Sequence, residues 1–186
     1  KGEAAASDVE TRQVDKADSG IAYLLRSLEK AELYHYPLDA RANNSLIEAF
    51  NLFCPLQDNI LLDLSIEIEG RNVKFLRQGK DVIWFHFDII CSSPRSQNDY
   101  IELSREFHAV LISGVPRMGK NNEDQARRFI NLVDEFYDRN VKVVLSAEVN
   151  LVSLYVDGAL NFEFQRTKSR LLEMQSYEYL SRPHQP

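Results

Sequence analysis

The stretch that most constrains the fold is FHAVLISGVPRMGKNNEDQARRFINLVDEFYDRNVKVVLSAE, residues 107–148. It opens on the apolar run Val110, Leu111 and Ile112, breaks at Gly114 and Pro116, and closes on Val141, Val143, Val144 and Leu145. In between, Phe129, Ile130, Leu132, Val133, Phe136 and Tyr137 recur at helical spacing, with Arg127, Asn131, Asp134 and Asp138 on the other side. That spacing gives a helix one face built for burial. Asn122 followed by Gln125 supplies a start signal, and Asn140 suits the left-handed conformation just past a helix end. The flanking runs are nearly continuously apolar, as strands of a parallel sheet covered on both faces must be, and a right-handed crossover joins such strands. The expected class is α/β, a parallel strand-helix-strand core with an antiparallel meander and flanking helices.

The remaining segments fill in that outline. Residues 1–18 carry almost no large apolar side chains and read as a lead-in or linker that cannot offset its ordering entropy. A short strand is expected within residues 32–36, before Pro37, and a helix over residues 40–54 with Leu46, Ile47, Phe50 and Phe53 on one side. Leu64, Ile66 and Ile68 alternate with polar residues, a turn follows at Gly70 and Arg71, and residues 72–76 return. A second turn at residues 78–81 leads into VIWFHF, giving a meander over about residues 60–88. Ser96 with Asp99 can cap a helix carrying Tyr100, Ile101, Leu103 and Phe107. Past Glu148 one helical turn is expected over residues 151–155, an extended piece at Phe162, Glu163 and Phe164, and a last helix over about residues 166–180. The α/β core thus covers about residues 96–182.

Bulk properties exclude some functions. The formal charge of −6 argues against general nucleic-acid binding, which needs a basic surface to displace counterions from phosphates. No apolar run approaches the roughly 20 residues of a membrane span, and no secretory signal pattern opens the sequence, so a cytosolic location is expected. The opening at Lys1 reads as a segment of something longer. Cys54 and Cys91 lie outside any metal-type spacing and read as reduced, buried thiols. His35, His86, His108 and His184 show no ligand spacing, and Ser104, Ser113 and Ser146 lack a nucleophile-elbow context.

Two features bear on nucleotide chemistry. Gly114-Val-Pro-Arg-Met-Gly119-Lys120-Asn121 nearly spells a phosphate-binding loop between a strand and a helix. Asn121 stands where a hydroxyl must hold magnesium, and the helix starts only near Glu123, so the stretch reads as a connecting loop. Arg166 and Arg170 are one turn apart with Glu173 following. They fit either a local ion network or guanidiniums aimed at nucleotide phosphates or a neighbouring subunit, and Arg127 and Arg128 pose the same alternatives.

The strings PRSQNDYIELSREFHAVLISGVP, ARRFINLVDEFYDRNVKVVLSAEV and FEFQRTKSRLLEMQSYEYL resemble the C-terminal portion of the ZapE family, bacterial cell-division P-loop ATPases with mitochondrial AFG-one-like relatives. The likeness runs over roughly residues 18–182. It implies an AAA+-like ATP hydrolase that uses ATP and Mg2+ to destabilise polymers of the tubulin-like division protein, in the cytoplasm and recruited to the division site. It implies division-ring and homo-oligomeric partners, beside the exclusion of nucleic acid and of a membrane span already drawn from charge and hydropathy. In the family the phosphate loop precedes the matching segment, so neither cofactor is expected on this segment alone, and residues 19–186 would be the C-terminal domain. No catalytic residue is assigned with certainty; Arg166 and Arg170 are the arginine candidates. The family carries Asp-Tyr-Arg after an Asp-Ser-Gly lead, whereas here Ala22 and Leu24 flank Tyr23, and only Tyr23 and the later Arg26 match. The alternative from another class is a non-catalytic protein-interaction module.

Overall fold

The computed structural model describes residues 32–186; the readings made at residues 1–31, including Ala22, Tyr23, Leu24 and Arg26, lie outside the described residues. In chain order the elements are β1 (Tyr34–His35), α1 (Ala40–Phe53), β2 (Leu61–Leu62), β3 (Ser65–Ile68), β4 (Arg71–Lys74), β5 (Arg77–Gln78) and β6 (Val82–His86). A π-helical turn (Asp88–Ser92), α2 (Gln97–Glu106), β7 (Ala109–Val115), β8 (Met118–Gly119), α3 (Glu123–Asp138) and β9 (Lys142–Ala147) follow. A 3-10 turn (Leu151–Ser153), β10 (Tyr155–Val156), α4 (Asn161–Glu173) and α5 (Tyr177–Ser181) complete the chain.

The central sheet has the order β1-β9-β7-β6-β5-β2, and its first four strands run parallel. Their continuous apolarity follows from burial on both sides. Val82, Trp84, Ala109, Leu111 and Val144 face Leu46, Ala49 and Phe50 of α1. The alternate positions Ile83, Phe85, Val110, Ile112, Val143 and Leu145 face Tyr100 and Leu103 of α2 and Phe129, Val133 and Phe136 of α3. The result is three layers, with α1 on one face and α2, α3 and α4 on the other. Ser96 and Asp99 form the expected capping box, and Asn140 has a φ of 55° just past α3.

The meander is present with a bend. Leu61 opposite Gln78 and Ser65 opposite Lys74 belong to one register, so β2-β3 and β4-β5 make a single hairpin whose base joins β6 through Arg77 and Trp84. Its tip leaves the sheet and docks on α2, where Glu69 N donates to Glu102 Oε2 at 2.8 Å. The turn falls at Glu69 and Gly70, both with positive φ, rather than at Gly70 and Arg71. Two such residues in succession match the twist of a hairpin, and this leaves Arg71 in the strand.

The carboxyl end differs more from expectation. Phe162, Glu163 and Phe164 begin α4 instead of forming an extended piece, because Leu160, Phe164, Thr167 and Leu171 share a buried helical face. The expected last helix is two: α4 ends at Glu173, and Ser176 caps α5 by accepting from Tyr179 N. The final residues strap the amino-terminal edge of the sheet, with Lys142 Nζ donating to Arg182 O at 2.7 Å and Asn140 O at 2.9 Å. Burial lowers the Lys142 ammonium to about 8. Phe129 sits between Phe87 and Phe164, with centroids 6.1 and 6.0 Å away, and joins the sheet to α4. Phe129→Ala is expected to cost about 3–5 kcal/mol, read as a lower urea midpoint with an unchanged slope.

Candidate functional site

In open parallel sheets, ligands bind outside the carboxyl ends of the strands, where successive connections leave to opposite faces. Here that crevice lies between β1, which feeds α1 on one face, and β9, which feeds α4 on the other. The loop after β1 reads Tyr36-Pro37-Leu38-Asp39 and contains neither glycine nor lysine. Asp39 accepts from Ala42 N at 2.9 Å, so the first turn of α1 already holds its own carboxylate. A helix start occupied this way repels a phosphate rather than drawing one in.

The near-match to a phosphate loop is equally occupied. Gly114 continues β7 with a φ of 76°, and a side chain there would collide with the His86 ring. Its N–H donates to Ser146 Oγ at 3.1 Å. Arg117 N donates to Glu148 Oε2 at 3.1 Å, and Gly119 N to Asn122 Oδ1 at 2.8 Å. Asn122 therefore folds its side chain back onto the loop and leaves α3 uncapped by it. Met118 and Gly119 pair with Tyr155 and Val156, and the Val156 carbonyl oxygen lies where a Gly119 side chain would be. α3 then opens with Glu123 and Asp124. The amides of Gly114, Arg117, Met118 and Gly119 are bonded to protein acceptors, and the helix start carries negative charge. Asn121 in place of a hydroxyl and the acidic start of α3 depart from the donor set that holds a triphosphate with Mg2+.

The two candidate arginines do meet, through a residue on another helix. Asp134 of α3 accepts from Arg166 Nη2 at 3.1 Å and from Arg170 Nη1. The Arg170 guanidinium also lies 4.7 Å over the Tyr137 ring. Glu173, the expected partner on α4, instead accepts from the Tyr137 hydroxyl at 2.7 Å and pairs with Arg182 at 3.5 Å. Arg170 is 24% exposed against 58% for Arg166, so Arg170 is fixed while Arg166 keeps a free side toward solvent. Arg127 is exposed on α3, and Arg128 is half-buried and donates to Cys91 O at 3.1 Å. Sequence reasoning passed over Arg95, whose Nε donates to Ile89 O at 3.2 Å beside the same π-helical turn. Its signal was position, in the break between a strand and a capped helix.

The other singled-out residues are dispersed. His35 and His86 end parallel strands, while His108 and His184 stack at the opposite edge with ring centroids 4.4 Å apart. Ser113 accepts from Trp84 Nε1 at 3.0 Å, and Ser104 accepts from Arg139 Nε at 2.9 Å, so these hydroxyls hold neighbours in place. Among the described residues no three His, Cys, Asp or Glu side chains are grouped to hold a metal, and no helix is long and apolar enough to cross a membrane.

Fold and site together define a three-layer, mostly parallel α/β domain of the nucleotide-binding type in which several strand-end amides are bonded by its own side chains. The AFG1-like ATPase family matches residues 6–183, and the chain belongs to that family. It is 42% identical over 172 residues to "Cell division protein ZapE" of Escherichia coli (strain K12), which covers 92% of this chain and 45% of that protein. It is 29% identical over 195 residues to "Lactation elevated protein 1 homolog B" of Danio rerio, covering 87% of this chain and 39% of that protein. The chain thus spans less than half the length of the relatives it matches. No solved structure matches it.

The cysteines supply a direct check on packing. Burial pushes the Cys91 thiol up to about 12, whereas Cys54 is half-buried. Because the thiolate is the reacting form, iodoacetamide at pH 8 is expected to label Cys54 alone in the native chain and both residues in urea. Equal native labelling would contradict the packing around the π-helical turn.

Proposed function

We propose that this chain is the carboxy-terminal, non-hydrolytic part of a ZapE-like ATPase that couples ATP hydrolysis to remodelling of the bacterial division ring. The target is a polymer of the tubulin-like division protein, which the full machine destabilises in the cytoplasm at the division site. One observation carries this reading: a member of an ATPase family has strand-end loops whose amides are already bonded by Asn122, Glu148 and Ser146. On this reading the phosphate loop and the Mg2+ ligands belong to a part of the longer protein outside the chain. Residues 32–186 then brace that part, dock the partner and support assembly of further copies. Arg166, with its free side, reaches toward nucleotide held elsewhere, and Arg170 fixes the helix that carries it.

A second reading, a non-catalytic interaction module, is supported by exposed apolar side chains on α4, with Phe162 89% and Leu172 62% exposed. The two separate in a pull-down with the polymer-forming division protein. Capture by this chain without nucleotide favours the module, and capture that requires the rest of the protein and ATP favours the ATPase reading.

The enzymatic test uses both lengths. The 186-residue chain is expected to show no ATP turnover, whereas the full-length parent turns over. In that parent, Arg166→Ala or Arg170→Ala is expected to lower kcat at least about tenfold, the direction seen for arginines that stabilise a transferring phosphoryl group. The melting temperature should change little in Arg166→Ala, and in Arg170→Ala, which frees α4 from Asp134, stability should fall less than activity does. Turnover by the short chain that Lys120→Ala abolishes would overturn the proposal, and loss of stability matching the loss of activity would return the arginines to a purely structural role.

A further inference from the structure

We propose that Arg95 and Arg128 form a binding site for a phosphoryl oxyanion at the π-helical turn after β6, outside the carboxyl edge of the parallel sheet. Three guanidiniums from different parts of the chain hold this turn. Arg95 Nε donates to Ile89 O at 3.2 Å, Arg128 Nη1 to Cys91 O at 3.1 Å, and Arg71 Nη1 to Pro94 O at 2.9 Å. Carbonyls at such a turn lack ladder partners, which explains one bond from each arginine. It does not explain their remaining donors.

Charge separates the three. Arg71 places Nη2 within 2.8 Å of both oxygens of buried Asp99, and that carboxylate also accepts from Ser96 N at 2.6 Å. Among the described residues, no carboxylate pairs with Arg95 or Arg128, although Arg166 and Arg170 share Asp134 and Arg182 pairs with Glu173. The terminal nitrogens of Arg95, and Nε and Nη2 of Arg128, have no hydrogen-bonded acceptor among the described residues. Both side chains are half-buried, and an incompletely solvated guanidinium without a counter-ion is costly. Burial lowers the Arg95 pKa, and the neighbouring Arg71 charge lowers it further while Asp99 opposes this. Of the nearby acids, Asp88 accepts from Ser92 Oγ at 3.2 Å and lies 3.6 Å from His86 Nδ1, Glu135 accepts from Gln97 Nε2 at 2.6 Å, and Asp124, one turn before Arg128, makes no ion pair with it.

The chemistry favours a tetrahedral oxyanion. Both guanidiniums bond carbonyls of one turn, at Ile89 and Cys91, and a planar guanidinium grips two oxygens at once, which suits the several terminal oxygens of a phosphoryl group. The group could arrive as free phosphate or as the terminal phosphate of a nucleotide.

Titration of the 186-residue chain with inorganic phosphate at fixed ionic strength, followed by the arginine Nε–H resonances, tests the assignment. Saturable shifts at Arg95 and Arg128 are expected, with affinity weakened at least about tenfold in Arg95→Gln and in Arg128→Gln. Parallel titrations with ADP and ATP identify the source: tighter binding than phosphate points to a nucleotide, and equal binding to free phosphate. Shifts that never saturate and are reproduced by chloride would overturn the site, as would Gln variants that bind like the parent chain. Arg95→Lys, which keeps the charge but loses the fork, covers the case in which a Gln variant misfolds. Unchanged phosphate affinity in that variant would also overturn the proposal.

Discussion

Burial of both faces of four parallel strands is the constraint on which the rest of the structure depends. A parallel sheet survives only when helices cover it on both sides, and here α1 with Leu180 of α5 covers one face while α2, α3 and α4 cover the other. The alternation is strict enough to be read residue by residue: Trp84, Leu111 and Val144 turn one way, Phe85, Ile112 and Leu145 the other. Layering of this kind sends the connections from β1 and β9 to opposite faces, and so creates a crevice at the strand ends whether or not anything binds there.

What occupies that crevice decides the chemistry. Helix starts and glycine turns hold phosphates only when their amides are free and no fixed anion competes. In this chain Asp39 caps α1, Glu123 and Asp124 open α3, and Asn122 and Glu148 bond the loop amides between them. At these two strand ends a nucleotide fold therefore carries fixed anions and bonded amides. Besides Arg117 and Lys120 in the loop itself, positive charge lies on arginines that hold the π-helical turn and on the pair clasped by Asp134.

The sequence was legible where signals were local and repeated. Phe129, Val133 and Phe136 at helical spacing between two apolar runs could hardly be anything but a helix crossing a buried sheet, and residues 107–148 fold as that pattern requires. Asn121, standing where a hydroxyl was needed, was enough to doubt the phosphate loop. Short windows misled: Phe162, Glu163 and Phe164 alternate like a strand, and only the longer spacing from Leu160 to Leu171 shows the helix. Partners distant in sequence were invisible. Arg170 meets Asp134 across 36 positions, so reasoning from neighbours on one helix named Glu173 instead. Arg95 carried no periodic signal; its place is set by carbonyls that only the folded turn brings within reach.

Residues 32–186 keep the architecture of a nucleotide-binding sheet, and on the proposed reading the phosphate loop that grips ATP belongs to another part of a larger ATPase. Backbone amide shifts of this chain on addition of Mg-ATP test it most directly. The amides of the non-proline residues within 36–39 and 114–121 are expected to stay in place at millimolar nucleotide. Saturable movement of Gly119, Lys120 and Asn121, lost in Lys120→Ala, would contradict it.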